Sequence, residues 1–196
     1  MYEKLNITEN HLQVLSLFTR GFTRDYYIRE VQKILGISPR TAQLILYDLE
    51  KKAVLESATK GKIRTYRIKK TDTARQYLIF AEQYKAMTFL KKRPVIKEIV
   101  DKISPFIDGI GIIFGSYAKG LEKKGSDLDI FVAGTCNSEE IKKVSELYGV
   151  RVSVKKYPPE IFKKSIRNDA LVKEVLDSHV AFLNAEQFIK SVLENG

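Results

Sequence analysis

Two aspartates one residue apart, Asp127 and Asp129, follow the pair Gly115-Ser116 after ten intervening residues in the stretch GSYAKGLEKKGSDLDIFV (115–132). The apolar run IGIIF (110–114) precedes the pair, and Leu128, Ile130, Phe131 and Val132 surround and follow the aspartates. Both runs predict strands. Side chains alternate faces along a strand, so Asp127 and Asp129 share one face while Leu128 and Ile130 turn to the core. Carboxylates that close repel each other unless something positive sits between them. Mg²⁺ (or Mn²⁺) suits the position, being a hard cation held by carboxylates plus substrate phosphates. A Gly-Ser turn lets backbone amides approach a phosphate closely, and the serine hydroxyl adds a donor. Lys119, Lys123 and Lys124 lie in the same loop, within reach of phosphates or solvated. The plainer alternative is an acidic strand edge after a glycine turn.

These residues resemble the signature of the polymerase-beta-like nucleotidyltransferases in their minimal form, over roughly 94–196. The resemblance implies that Gly115 and Ser116, with Lys119 beside them, contact a nucleoside triphosphate. It implies that Asp127 and Asp129 are metal ligands and the catalytic acids of phosphoryl transfer. Competent members of that family usually carry a third carboxylate on the next strand, read here as VRVSVKK (150–156). Its alternation puts Val150, Val152 and Val154 on the core face and Arg151, Ser153 and Lys155 on the other. That face holds no acid. Glu160 is the nearest one downstream, but it follows Pro158-Pro159 and starts a helix.

The elements that position this site follow from periodicity. A helix (95–103) leads to a strand (109–114), the Gly-Ser turn and a strand at 127–132. Helix 138–148, strand 150–156, helices 159–166 and 169–176, an extended piece (179–183) and helix 185–193 complete a small mixed sheet covered by helices. His179 reads as a structural residue at a strand edge, and Cys136 as a loop residue with no role.

The first 70 residues have a different pattern. Thr8-Glu9 opens a helix with Leu12, Leu15 and Phe18 at helical spacing, and a second runs from Ile28 to Gly36. Ser38-Pro39 is an N-cap followed by the proline favoured at the first helical position. In the third helix Ala42, Ile45, Leu46, Leu49 and Ala53 form the core face. Arg40, Gln43, Leu44, Tyr47 and Lys51 form the opposite one. Two strands joined by Lys60-Gly61-Lys62 follow, the second carrying Ile63, Thr65 and Arg67. The pattern resembles a winged helix-turn-helix, which implies double-stranded DNA as a partner through Arg40, Thr41, Gln43, Tyr47, Lys51, Lys60, Lys62 and Arg64. Between the halves, a helix over 71–90 is too apolar for a free linker and packs between domains or pairs with a second copy.

Composition agrees. The 196 residues carry a net charge of +10. Residues 1–70 hold 14 Lys and Arg against 7 Asp and Glu, whereas 71–196 hold 20 against 17. The basic excess therefore sits in the part expected to face a polyanion. No apolar run approaches the ~20 residues a membrane span needs. The N-terminus lacks a signal-peptide core, and one cysteine fits a reducing, cytoplasmic setting. The expectation is an α+β, two-domain chain: a winged helix (1–70), a connecting or dimerising helix (71–93) and a nucleotidyltransferase-like domain (94–196). Its function is nucleoside monophosphate transfer to a protein or small-molecule hydroxyl. The alternative is a regulator, antitoxin-like in kind, whose second domain is a nucleotide sensor or a module for a partner protein.

Overall fold

Residues 6–196 are described by a computed structural model, and residues 1–5 of the signal-peptide reading lie outside them. The chain divides into two units at Ala81/Glu82.

In the first unit α1 (Glu9–Phe18), α2 (Ile28–Leu35) and α3 (Pro39–Lys51) precede the strands β2 (Leu55–Lys60) and β3 (Ile63–Ile68). Ser38 caps α3 as expected, its hydroxyl accepting from the Thr41 amide at 3.0 Å, with Pro39 in the first turn. Ala42, Ile45, Leu46 and Leu49 are buried with Val14, Leu15, Phe18 and Val31. The antiparallel pair β2–β3 turns over Gly61-Lys62, with Lys60 opposite Ile63. A third strand, β1 (Tyr26–Tyr27), joins the outer side of β3. At two residues it is too short to show a period in the sequence. It is fixed from within: Tyr26 is buried, donates to the Leu17 carbonyl at 3.0 Å and sets its ring edge-on to Phe18. Three helices with a three-stranded β1-β3-β2 sheet make this unit a winged helix.

The helix α4 (Asp72–Lys91) contains the boundary between the units. Its second half carries Ala86 and Phe89 into the core of the second unit.

There α5 (Pro94–Ile103), β4 (Ile107–Ile113), α6 (Gly115–Lys119), β5 (Leu128–Cys136), α7 (Ser138–Tyr148) and β6 (Val152–Tyr157) follow in order. Next come α8 (Pro159–Ser165), α9 (Ala170–Asp177), β7 (Val180–Leu183) and α10 (Ala185–Asn195). The sheet order is β6-β5-β4-β7, with β5–β6 parallel and the other two pairs antiparallel. Leu128, Ile130 and Val132 enter a core with Ile99, Val100, Ile103 and Ile141, as the alternation requires. Phe131 points to the other face, against Tyr157 and Phe162 at 5.4 and 5.6 Å between ring centroids. The fold is the mixed α+β, two-domain arrangement that the patterns predict.

Three expectations are corrected. Cys136 is in β5 rather than a loop, because the ladder runs past the apolar stretch through Gly134 opposite Gly109 to Cys136 opposite Ile107. The Gly-Ser turn is the start of the five-residue helix α6. His179 is the structural residue expected just before β7, but it is paired with an acid that was not foreseen. It is fully buried, with Nε2 3.2 Å from Glu82 Oε1 and Nδ1 3.0 Å from the Leu176 carbonyl. Lys85 donates to the same Glu82 oxygen at 2.6 Å. Glu82 lies 97 residues away in sequence, so no local pattern links the pair.

Candidate functional site

The site forms where β4 ends, α6 begins and β5 starts. Phe114 donates its amide to the Asp129 carbonyl at 3.0 Å, locking the exit of β4 to the entry of β5. Gly115 then adopts φ 69°, which L side chains rarely tolerate. A Cβ placed on it would lie 2.5 Å from Asp129 Oδ2. Glycine here lets the Asp129 carboxylate rest directly against the backbone at the first turn of α6. Ser116 sits in the same turn, half-buried, and Lys119 closes α6 before Gly120 ends it in the left-handed conformation. Backbone amides of this turn, the Ser116 hydroxyl and the Lys119 ammonium are the donors on this side.

The acids come from the entry of β5, Asp129 lying against that turn. Asp127 and Asp129 flank buried Leu128, and Asp129 lies opposite Ser153 in the parallel β5–β6 register. Burial raises the Asp129 pKa above its usual value; the Ser153 hydroxyl, hydrogen-bonded to its carboxylate, opposes this. The charges of Asp127 and Glu174 raise it further, and Lys155 lowers it. Asp127 lies 3.5 Å from Arg151 Nε, an exposed pair. Lys119 is 3.1 Å from Glu174 Oε1 on α9. Arg93 anchors the loop after α6 through Glu122 at 2.7 Å, its guanidinium over the Phe89 ring.

Gly115, Ser116, Lys119, Asp127 and Asp129 are thus placed together; β6 starts at Val152 rather than Val150, so Arg151 stands just before it, and Ser153 and Lys155 alternate on one side of it, where no acid stands. Ser153, read from the alternation as part of the face without an acid, takes the position opposite Asp129. Glu174 was not visible in the sequence as part of this neighbourhood: it arrives from an amphipathic helix 45 positions further on, where nothing local marks it. The donor set fits a hard cation such as Mg²⁺ or Mn²⁺: two carboxylates and hydroxyls, with a raised Asp129 that nearby positive charge would relieve. Among the described residues no group of three or more His, Cys, Asp or Glu is arranged to hold a metal. Phosphate oxygens and water would complete the shell.

In the first unit, α3 turns Arg40, Gln43, Leu44, Tyr47 and Lys51 outward. Arg40 Nη1 donates to Gln43 Oε1 at 3.2 Å, and Lys51 Nζ lies 4.7 Å from the centre of the Tyr47 ring. Thr41 is half-buried and its hydroxyl is engaged with Ser38 at 2.8 Å. Lys62 is exposed at the hairpin turn; the Lys60 side chain lies outside the described part. Arg64 is held by both Glu50 oxygens at 2.8 and 2.6 Å and by Ser57 at 3.0 Å. It braces the wing to α3, so a phosphate contact from it would compete with Glu50.

A family model described as "Nucleotidyltransferase domain" matches residues 79–182, more than half of the chain. No curated protein matches the sequence. Solved structures similar to this chain include a ZitR variant of Lactococcus lactis, at 15% identity and TM-score 0.37 over 52% of this chain and 66% of that one. The adhesin competence repressor AdcR of Streptococcus pyogenes is 18% identical, TM-score 0.39, over 51% of this chain and 78% of the other. TrmBL2, an archaeal chromatin protein, is 11% identical, TM-score 0.30, over 88% and 71%.

Proposed function

Because the chain belongs to the nucleotidyltransferase domain family, we propose that its second unit binds a nucleoside triphosphate with Mg²⁺ (or Mn²⁺) and transfers the nucleoside monophosphate to a hydroxyl. The acceptor is a protein or a small molecule. The observation that carries this is the Asp129 carboxylate against the Gly115 backbone, beside Asp127 and the donors of α6. Ser116, the α6 amides and Lys119 would hold the triphosphate, and Asp127 and Asp129 would hold the cation. Bound there, the cation would offset charge on the phosphates and the leaving group. In the transfer the acceptor oxygen bonds to the α-phosphorus, the bond to the bridging oxygen breaks and pyrophosphate leaves. The hydroxyl proton passes to solvent.

Ser153 opposite Asp129 favours a second reading, a regulator whose nucleotidyltransferase domain senses nucleotide and turns over slowly or not at all. In both readings the winged helix binds duplex DNA through Arg40, Gln43, Tyr47 and Lys51, with Lys62 at the wing, and the chain acts as a homodimer.

Calorimetry with ATP, with and without Mg²⁺, tests the site. Wild type should bind nucleotide tightly only with the metal. Asp127→Asn with Asp129→Asn should remove that dependence, and Ser116→Ala should weaken binding more modestly. Wild type that binds no nucleotide in Mg²⁺ would sink both readings. Incubation with labelled ATP then separates enzyme from sensor.

A further inference from the structure

Both of the positive groups best placed for phosphate are already engaged by acids of the same unit. Arg151 Nε lies 3.5 Å from Asp127, and Lys119 Nζ lies 3.1 Å from Glu174 Oε1. The first pair ties a cation at the entry to β6 to one of the two carboxylates suited to the metal. The second ties the cation of α6 to a carboxylate on α9. Neither pair braces the fold: Arg151 is 81% exposed, and Lys119 and Glu174 are 40% and 48% exposed. Arg151 immediately precedes β6, and Ser153 lies within it opposite Asp129. Beside that position without an acid, the entry to the strand offers a guanidinium, whose planar fork suits phosphate oxygens.

Resting on the nucleotide-site reading above, we propose that Arg151 and Lys119 are paired phosphate-binding cations held in reserve by Asp127 and Glu174, so that the site takes nucleotide and divalent cation together and neither well alone. A nucleotide arriving without metal must draw Lys119 from Glu174 and Arg151 from Asp127, leaving two carboxylates without counter-charge. A divalent cation arriving alone must displace Arg151 from Asp127 and gains no phosphate ligands. When both arrive, Asp127 exchanges Arg151 for the cation, both positive groups gain phosphate, and only Glu174, 48% exposed, is left to water. The phosphates take Arg151 and Lys119, and Asp127 and Asp129 face the cation. Glu174 is a positioning residue, acting through Lys119. Arg151 contacts the phosphates directly.

The pairs predict effects of opposite sign. The probes are a non-hydrolysable ATP analogue in EDTA, Mn²⁺ alone, and the two together, measured by calorimetry on the full chain. Glu174→Gln should tighten the analogue in EDTA about two- to fivefold, the range for an exposed ion pair. Arg151→Gln should tighten Mn²⁺ alone by a similar factor and weaken the analogue with Mn²⁺ about tenfold, the loss of a charge-assisted hydrogen bond. Arg151→Lys should recover part of that loss, because it keeps the charge without the fork. Unchanged or weaker analogue binding in Glu174→Gln, or weaker Mn²⁺ binding in Arg151→Gln, overturns the proposal while leaving the nucleotide site standing. Wild type that fails to bind the analogue with Mn²⁺ overturns the site itself, and this proposal with it.

Discussion

Replacing Gly115 by alanine probes the contact on which the site depends. Two costs follow from the geometry. The backbone at φ 69° is left-handed, which costs a residue with a Cβ about 1–2 kcal/mol. The new methyl would also stand 2.5 Å from Asp129 Oδ2, well inside contact distance. The carboxylate must then rotate away and loosen the hydrogen bond from Ser153, worth about 0.5–1.5 kcal/mol. Gly115→Ala should therefore lose about 1.5–3.5 kcal/mol of stability, read as a fall in the urea midpoint at unchanged slope.

Function should suffer out of proportion, because the displaced group is the acid beside the phosphate turn. Mg²⁺-dependent nucleotide binding should fall at least about tenfold, the equivalent of 1.4 kcal/mol. A double-mutant cycle isolates the contact. In an Asp129→Ala background there is no carboxylate for the methyl to meet, so Gly115→Ala should cost only the backbone share. Equal costs in both backgrounds would show that the Gly115–Asp129 approach is immaterial. Wild-type nucleotide binding by Gly115→Ala would refute the placement of Asp129 in the site.

Arg40→Ala with Lys51→Ala should weaken duplex binding in gel shifts, with log affinity falling against log salt at about −0.9 per phosphate contact; salt-insensitive or absent wild-type binding would refute a DNA interface on α3. Phe80 and Met87 are exposed on α4, so light scattering at micromolar concentration should give twice 22.5 kDa, whereas a monomer mass independent of concentration would refute dimerisation. Buried Glu82 has its pKa pushed up by burial but pulled further down, by Lys85 and then His179, to about 2. A depressed carboxyl stabilises the fold above its ordinary pKa of 4.5 and loses that stabilisation as pH falls toward 2, so the unfolding free energy from urea titration at pH 7 should be about 3 kcal/mol lower in Glu82→Gln, with the gap narrowing in acid. A gap that stays constant down to pH 3 would refute the charge assignment.

The legible parts of this chain were those governed by local rules. Ser38-Pro39 announces the start of α3 because the cap and the proline act within one turn, and Gly36 announces the end of α2 for the same reason. The alternation around Asp127 and Asp129 fixed their shared face because the strand period is local too. Residues whose importance depends on tertiary proximity were invisible. Glu82 reads as an ordinary helical glutamate until His179 is packed against it. Glu174 reads as the wet side of an amphipathic helix until α9 is laid beside α6. Even the Gly-Ser pair was misjudged, as a turn rather than the first residues of α6, because a five-residue helix is too short to show its period.

The charges around the second unit's site bear on which of the two functions it performs. An acid opposite Asp129 would add a third negative group to a carboxylate whose pKa burial already raises and whose repulsions include Asp127 and Glu174. Ser153 there donates a hydrogen bond instead, and Arg151, just before the same strand, places positive charge 3.5 Å from Asp127. This arrangement lowers the electrostatic cost of the empty site and leaves fewer protein oxygens for a divalent cation. It also leaves no side-chain carboxylate on β6 to draw the proton from an attacking hydroxyl. On the proposed nucleotide-site reading, serine rather than an acid here therefore favours tight, metal-coupled binding over rapid transfer. If Ser153→Asp raises transfer from labelled ATP while weakening nucleotide binding in EDTA, the strand is what holds turnover down; if neither changes, the chemistry is limited elsewhere.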